Sequence, residues 1–286
     1  MPELPEVEVV RRGLERVLPG KTIESIDVRW HKSFRGPYEA LSGGTVQSLG
    51  RRGKMLQIHF DNGWTILVHL RMTGQLIHHG HDGEREGGGH PSDDLISSLP
   101  TKHTHVIVEL SPFSTLYFND QRKFGYLQAV PTAEIEQDSF LSKLGPEPWD
   151  EALTAQSLHD TFSRRSTNIK ALLLNQEIIA GIGNIYADEA LFLSGIHPTT
   201  AANTLGLDEL DALLQNVRLV LERGIEFGGV SARDYVNAEG LRGTMQQQLY
   251  VYGRAGEPCK QCGTLLEKSS VAGRGTHTCP QCQPRR

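Results

Sequence analysis

Apolar residues recur at helical spacing at the start of the chain. Val7, Val10, Leu14, Val17 and Leu18 fall on one face, which predicts an amphipathic helix over 3–18 ended by Pro19-Gly20. The period then drops to two. Leu56, Ile58 and Phe60 alternate with Gln57 and His59, and Asp61-Asn62-Gly63 turns the chain into a second strand over Thr65–Leu70. Val106–Leu110 and Leu116–Phe118 continue the series. Short antiparallel strands at this spacing predict a sandwich or a barrel over 22–130. Residues 78–101 break the pattern with His78, His79, His81, His90 and the run Gly87–Gly89, and read as a long, mobile, solvated loop. Four histidines on a flexible Gly-rich tract lack the rigid geometry that metal binding needs.

Beyond Pro131 the reading changes again. A linker over 131–150 contains Leu144-Gly145-Pro146-Glu147-Pro148, and helical periodicity follows over 151–162, 168–176, 185–194 and 207–223. In the last of these Leu207, Leu210, Leu214, Val217 and Leu221 share a face, which suits a helical core better than a cofactor site. A Gly-rich loop spans 228–243 and a cysteine module closes the chain. The expected architecture is α+β and multidomain: an N-terminal domain over 1–130, the linker, a helical domain over 151–245 and a metal-pinned hairpin over 246–286.

Length and composition permit this. With 286 residues, 38% apolar and 22% charged, the chain has material for two cores. No apolar run approaches the roughly 18 residues of a membrane span, and the charged first helix is no signal peptide, so a cytosolic location is expected. The net charge of −5 disfavours nucleic acid only when averaged. Arg51, Arg52, Lys54 and Arg71 stand against Asp61 alone in 51–76, while acid collects over 134–151. Local basic faces on an acidic body still bind phosphates.

The cysteines carry the most specific spacing. Cys259-Lys260-Gln261-Cys262 and Cys279-Pro280-Gln281-Cys282 form two knuckles separated by sixteen residues. Four thiolates converging on one zinc close the site against substrate, so a structural metal is expected ahead of iron or a redox role. Arg274, after Gly273, falls at the hairpin's tip, either as a plain surface arginine or as a phosphate grip.

The opening Met1-Pro2-Glu3-Leu4-Pro5-Glu6 raises a chemical possibility. Removal of Met1 ahead of the small Pro2 leaves a free secondary amine. An α-amine titrates near ~8 against ~10.4 for lysine, so far more of it is unprotonated at neutral pH. Such an amine attacks aldehyde-level carbon to form an iminium, and Glu3 beside it can move a proton. Composition alone leaves Pro2 as a helix opener. Three further segments are suggestive. Gly181-Ile182-Gly183-Asn184 precedes a helix that Asn184 can cap, with backbone N–H groups suited to phosphate. His69 through Gly74 and Asp120 through Gly125 place Met72 and Phe124 at turns beside basic residues, either as core plugs or as wedges for a base stack, with Arg122 in the gap.

Together these segments resemble the formamidopyrimidine-DNA glycosylase family of bacterial base-excision repair. The resemblance runs end to end: Pro-Glu-Leu-Pro-Glu-Val-Glu at 2–8, Gly53-Lys54, His69–Gly74, Arg122–Gly125, Ile182 through Glu189, Tyr252-Gly253-Arg254 and the cysteine module. Leu4 and Met72 look like the 8-oxoguanine branch. The resemblance implies an N-terminal antiparallel β-sandwich with an N-terminal helix, a helix–two-turn–helix domain and a zinc finger with one structural zinc held by Cys259, Cys262, Cys279 and Cys282. It implies a monomer, without membrane association, acting on duplex DNA that contains an oxidised base or an abasic site. Pro2 is then the nucleophile, Glu3 the acid/base group and Lys54 a contact to the backbone beside the lesion. His69, Asn184, Tyr252 and Arg274 grip phosphates, Met72, Arg122 and Phe124 fill the gap left by the flipped base, and the loop around 231–246 covers that base. Lys123 stands where many members carry a second arginine, keeping the charge and losing the fork. Other readings are an endonuclease VIII-like enzyme for oxidised pyrimidines, a non-catalytic binder of damaged DNA and a zinc-ribbon adaptor. Pro2 and Glu3 argue against the binder; the adaptor leaves Met72, Arg122 and Phe124 unexplained.

Overall fold

The computed structural model describes residues 1–81, 83–89, 99–230, 236–237 and 244–285. Two compact units emerge, one of Met1–Ser142 with Gly224–Gln246 and one of Lys143–Arg223 with Gln247–Arg286. Among the described residues no helix is long and apolar enough to cross a membrane.

The expected first helix forms as α1 (Leu4–Glu15), with Pro5 in its first turn, where a missing N–H costs nothing. Its apolar face packs on two sheets that share one core. One sheet orders the strands β1 (Thr22–Val28), β8 (Thr104–Ser111), β9 (Ser114–Asp120), β6 (Gly74–His79), β7 (Arg85–Gly89) and β11 (Val236–Asn237). The other runs β2 (Phe34–Arg35), β10 (Tyr126–Pro131), β5 (Trp64–His69), β4 (Met55–Phe60) and β3 (Val46–Arg52). Pairing is antiparallel except between β2 and β10. Ile58, Ile66 and Val68 of one sheet meet Leu76, Val106, Val108 and Phe118 of the other, with Val7, Val10 and Leu14 of α1 completing the cluster. The alternation at 56–60 and the turn at 61–63 are realised, with Gly63 at φ +81°.

The loop expected over 78–101 is corrected. Residues 74–79 and 85–89 are paired strands, Ile77 opposite Gly87 and Gln75 opposite Gly89. The glycine run is buried structure. A Cβ on Gly87 would lie 2.1 Å from the Leu76 carbonyl oxygen, and one on Gly89 would lie 2.3 Å from that of Gly74. Composition cannot distinguish a tract that is all glycine for flexibility from one with no room for a side chain. Asp82 and residues 90–98, with His90, lie outside the described residues.

In the second unit the helices are α2 (Ala155–Phe162), α3 (Ile169–Leu173) and α4 (Asn184–Leu193), and α5 (Leu207–Glu226) runs past the unit boundary. Thr154 and Asn168 start the first two by accepting the N–H of Ser157 at 3.1 Å and of Ala171 at 2.8 Å. A short helix, α6 (Met245–Gln248), leads to the hairpin of β12 (Glu267–Val271) and β13 (Arg274–Thr278). Its turn is Ala272-Gly273, both at positive φ, the backbone a tight two-residue hairpin requires.

Candidate active site

In the first unit, α1 carries Pro2 and Glu3 at its entrance, and both are buried. Glu3 occupies the N-cap, and its N–H donates to Glu6 Oε2 at 2.8 Å. The other oxygen of Glu6 accepts the N–H of Val230 at 2.9 Å. This buried carboxylate therefore holds the helix entrance and the residue that precedes 231–243; most of the loop expected over 231–246 lies outside the described residues. Lys54, only 6% exposed, sits in the two-residue turn between β3 and β4, where Gly53 takes φ +57°.

His69 ends β5 beside Tyr126 and Phe140, with ring centroids 5.9 and 5.2 Å away. Burial, and then the charges of Arg71, Lys54 and Arg35, hold its pKa at about 3. Its Nδ1 accepts the Arg71 N–H at 3.1 Å, so the neutral ring carries its proton on Nε2. A fixed neutral donor among cations suits a phosphate oxygen.

The next two loops meet through one residue that sequence reading passed over. Asp120 is fully buried at the end of β9. Its Oδ1 accepts from the Thr73 hydroxyl and from Arg122 N–H at 3.0 Å; its Oδ2 accepts Phe124 N–H at 2.8 Å and Gly125 N–H at 2.7 Å. Its carbonyl oxygen lies 2.7 Å from His105 Nε2. The clamp displays a cluster facing solvent. Met72 is 38% and Phe124 54% exposed, Arg122 donates to Met72 Sδ at 3.0 Å, and the guanidinium lies 5.0 Å from the Phe124 ring centroid. These side chains are not core plugs. Lys123, at φ +59°, places its ammonium 4.3 Å from the Trp30 ring. The missed signal was an aspartate two residues before an arginine, a spacing at which carboxylates bind backbone N–H groups.

The second unit gathers Asn184, Tyr252 and Arg274 around β13. Asn184 does not cap α4, which is a correction. Gly183 holds the cap position, Asn184 is the first helical residue, and its Nδ2 donates to the Gly275 carbonyl at 2.9 Å. Arg274 is exposed and opens β13 directly after the turn. Tyr252 stands edge-on to His277 at 4.9 Å. Two buried acids of α4 hold this arrangement. Glu189 accepts the N–H groups of Tyr250, Val251 and Tyr252 at 2.7, 2.9 and 2.8 Å. Burial pushes its carboxyl above the usual range and those three donors pull it back. Asp188 bonds the Lys170 ammonium at 2.6 Å, both fully buried, and takes the His277 N–H at 2.9 Å.

The four cysteine sulfurs lie within 4.8 Å of one another, with Cys262 and Cys279 at 3.4 Å and Cys259 and Cys282 at 4.0 Å. Tetrahedral zinc with bonds of about 2.3 Å would set neighbouring sulfurs about 3.8 Å apart, so the set fits. Gln261 and Cys282 direct N–H groups at the sulfurs of Cys259 and Cys279, each at 3.4 Å. The buried Cys259 and Cys279 also pack with Phe192, Val251 and Leu266, so the one structural zinc is built into a small core.

Comparison with known proteins agrees at each level. Family models for the formamidopyrimidine-DNA glycosylase N-terminal domain, its H2TH domain, and a zinc finger found in FPG and IleRS match residues 1–127, 144–236 and 256–285. The formamidopyrimidine-DNA glycosylase of Desulfitobacterium hafniense is 45% identical, covering 99% of this chain and 100% of its own. That of Lactiplantibacillus plantarum is also 45% identical, with 98% of each chain covered. Among solved structures, the Lactococcus lactis enzyme with DNA containing an abasic site superposes with a TM-score of 0.87 at 34% identity, over 99% of this chain and 100% of that one. The same enzyme with N7-benzyl-Fapy-dG DNA gives 0.86 over the same shares at the same identity. By its full-length similarity and its three matching domains, this chain belongs to the formamidopyrimidine-DNA glycosylase family.

Proposed function

We propose that the protein is a bifunctional DNA glycosylase and abasic-site lyase of base-excision repair that removes oxidised purines, 8-oxoguanine and formamidopyrimidines, from duplex DNA in the bacterial cytoplasm. The observation that carries this reading is the solvent-facing set of Met72, Arg122 and Phe124 on the Asp120 clamp. Extruding a nucleotide costs a few kcal/mol of pairing and stacking, and an apolar wedge with a guanidinium in the vacated place offsets that cost. His69, Asn184, Tyr252 and Arg274 hold phosphates around the extruded nucleotide.

With Met1 removed, the Pro2 nitrogen attacks C1′ of the damaged nucleotide. The bond from C1′ to the base breaks and the base departs with a proton. Glu3 protonates the opening sugar ring and the iminium forms. Loss of a proton from C2′ then expels the 3′ phosphate, a second elimination expels the 5′ phosphate, and water releases the amine. Lys54 contacts the backbone beside the lesion. Domain boundaries near 130, 150 and 245 divide these tasks between a catalytic domain, a helical domain and a zinc finger. Relatives' names and the lesions in the Lactococcus lactis complexes support a purine substrate, although that enzyme has also been crystallised with an oxidised pyrimidine in DNA. Matched duplexes carrying 8-oxoguanine or thymine glycol decide between them. Faster excision of 8-oxoguanine, leaving phosphate on both sides of the gap, is expected. Preference for thymine glycol, or tight binding without excision, would overturn the reading.

A further inference from the structure

The first helix carries a charge network that the roles above do not use. Glu8, 8% exposed, takes four hydrogen bonds from three arginines. Arg11 Nη2 at 2.9 Å and Arg12 Nε at 2.8 Å reach one oxygen, while Arg11 Nε and Arg51 Nε, each at 3.1 Å, reach the other. Burial would raise the Glu8 pKa, but bonds from Arg11 and Arg12 and the charges of Arg11 and Arg51 outweigh it and hold it at about 2. Arg51 belongs to β3 and is itself largely buried, and its Nη1 donates to the Gly53 carbonyl at 2.9 Å. Gly53 is the first residue of the turn that presents Lys54, and α1 packs against both strands flanking that turn.

We propose that Glu8 and Arg51 are positioning residues that register the Lys54 turn against the helix whose entrance carries Pro2 and Glu3. The inference rests on the assignment of those three residues to the reaction. Glu8 occupies the middle of α1, so a displacement of the β3–β4 turn relative to Pro2 must break its bond to Arg51. Arg51 is suited to the task because its planar fork binds Glu8 and the Gly53 carbonyl at once, which the single ammonium of lysine cannot do in the same geometry. Loss of Glu8 removes the acceptor that ties Arg51 Nε to the helix at 3.1 Å and so loosens the side chain that also donates to Gly53. Small misplacements of reacting groups cost rate more than affinity.

The test uses the full-length zinc-loaded protein and variants Glu8→Gln, Arg51→Lys, the double variant and Arg12→Gln. Arg12 binds the same carboxylate but is exposed, and it is Arg51 that donates to the turn at Gly53. Three quantities are measured: single-turnover release of 8-oxoguanine at saturating enzyme, affinity for a duplex with a non-cleavable tetrahydrofuran site, and the melting midpoint. Glu8→Gln and Arg51→Lys should each lose about tenfold in rate, and the double variant little more, because the pair acts as a unit. Affinity should change by less than about threefold, the range expected when transition-state contacts alone are lost. Arg12→Gln should match wild type. The inference fails if Arg12→Gln loses as much as Glu8→Gln, if the two singles are unaffected or simply additive, or if rate and affinity fall together with the melting midpoint. Wild-type protein without excision would sink the functional reading itself, and this inference with it.

Discussion

Replacing Asp120 by asparagine is the sharpest test of the wedge cluster, because the change keeps the shape and alters the acceptor count. The native carboxylate satisfies the N–H groups of Arg122, Phe124 and Gly125 and the Thr73 hydroxyl from a fully buried position. An amide has one oxygen and one nitrogen without acceptor capacity. The cheaper orientation turns that nitrogen toward Thr73, whose hydroxyl can rotate to accept, and keeps the oxygen on Phe124 and Gly125. Arg122 N–H then loses its carboxylate partner and depends on Thr73 Oγ1, 3.1 Å away. Leaving one buried donor poorly satisfied costs about 1–3 kcal/mol. The loop also holds Lys123 in the left-handed region at φ +59°, a conformation that costs about 1–2 kcal/mol without a clamp. If the lost order falls wholly on the base-extruding transition state, 8-oxoguanine release should slow by roughly 5- to 150-fold. Cleavage at a preformed abasic site needs no base unpairing and should slow far less. Single-turnover assays on the two duplexes at saturating protein read the difference. Equal slowing of both reactions, or none in either, would refute the argument that Asp120 organises a wedge.

Three further outcomes are expected. Because the pKa of His69 is held at about 3 against an ordinary value of ~6.5, the unfolded chain binds the extra proton between those values. Its contribution therefore lowers stability as pH falls from about 6.5 toward 3 and is flat above that window. Imidazole nitrogen NMR should show the Nε2–H form down to pH 5, and a midpoint near 6.5 would contradict the assignment. Glu189→Gln faces an amide nitrogen toward at least one of three backbone N–H donors and should destabilise the second unit by about 1–3 kcal/mol, with weakened DNA binding through Tyr252; an unchanged denaturant midpoint would count against it. Chelation of the metal, or Cys279→Ser, should melt the β12–β13 hairpin and weaken DNA binding by loosening Arg274. Preserved metal content, hairpin amide protection and affinity in Cys279→Ser would contradict the zinc role.

Where sequence reasoning succeeded, each signal was local. The alternation over 56–60, the turn at Gly63, the long helix near 207–223 and the two cysteine knuckles each depend on neighbours within a few residues. Where it failed, the cause was distant. Gly87 and Gly89 are glycine because the backbone of β6 lies against them. Asn184 could cap a helix, yet its amide is taken by Gly275, ninety-one residues further on. Asp120, Glu8 and Glu189 look like ordinary surface acids in the sequence and become buried clamps only once the strands and helices that supply their donors are assembled. The exposed Met72, Arg122, Phe124 and Arg274 were easier to pick out than the buried carboxylates beneath them.

The account stands on the secondary amine of Pro2. Borohydride reduction of a reaction on 8-oxoguanine duplex, followed by proteolysis and mass spectrometry of the cross-linked peptide, locates the bond directly. The account predicts a single adduct on the nitrogen of a chain that begins at Pro2. An adduct on Lys54 or any other lysine, or full activity in protein still carrying Met1, would contradict it.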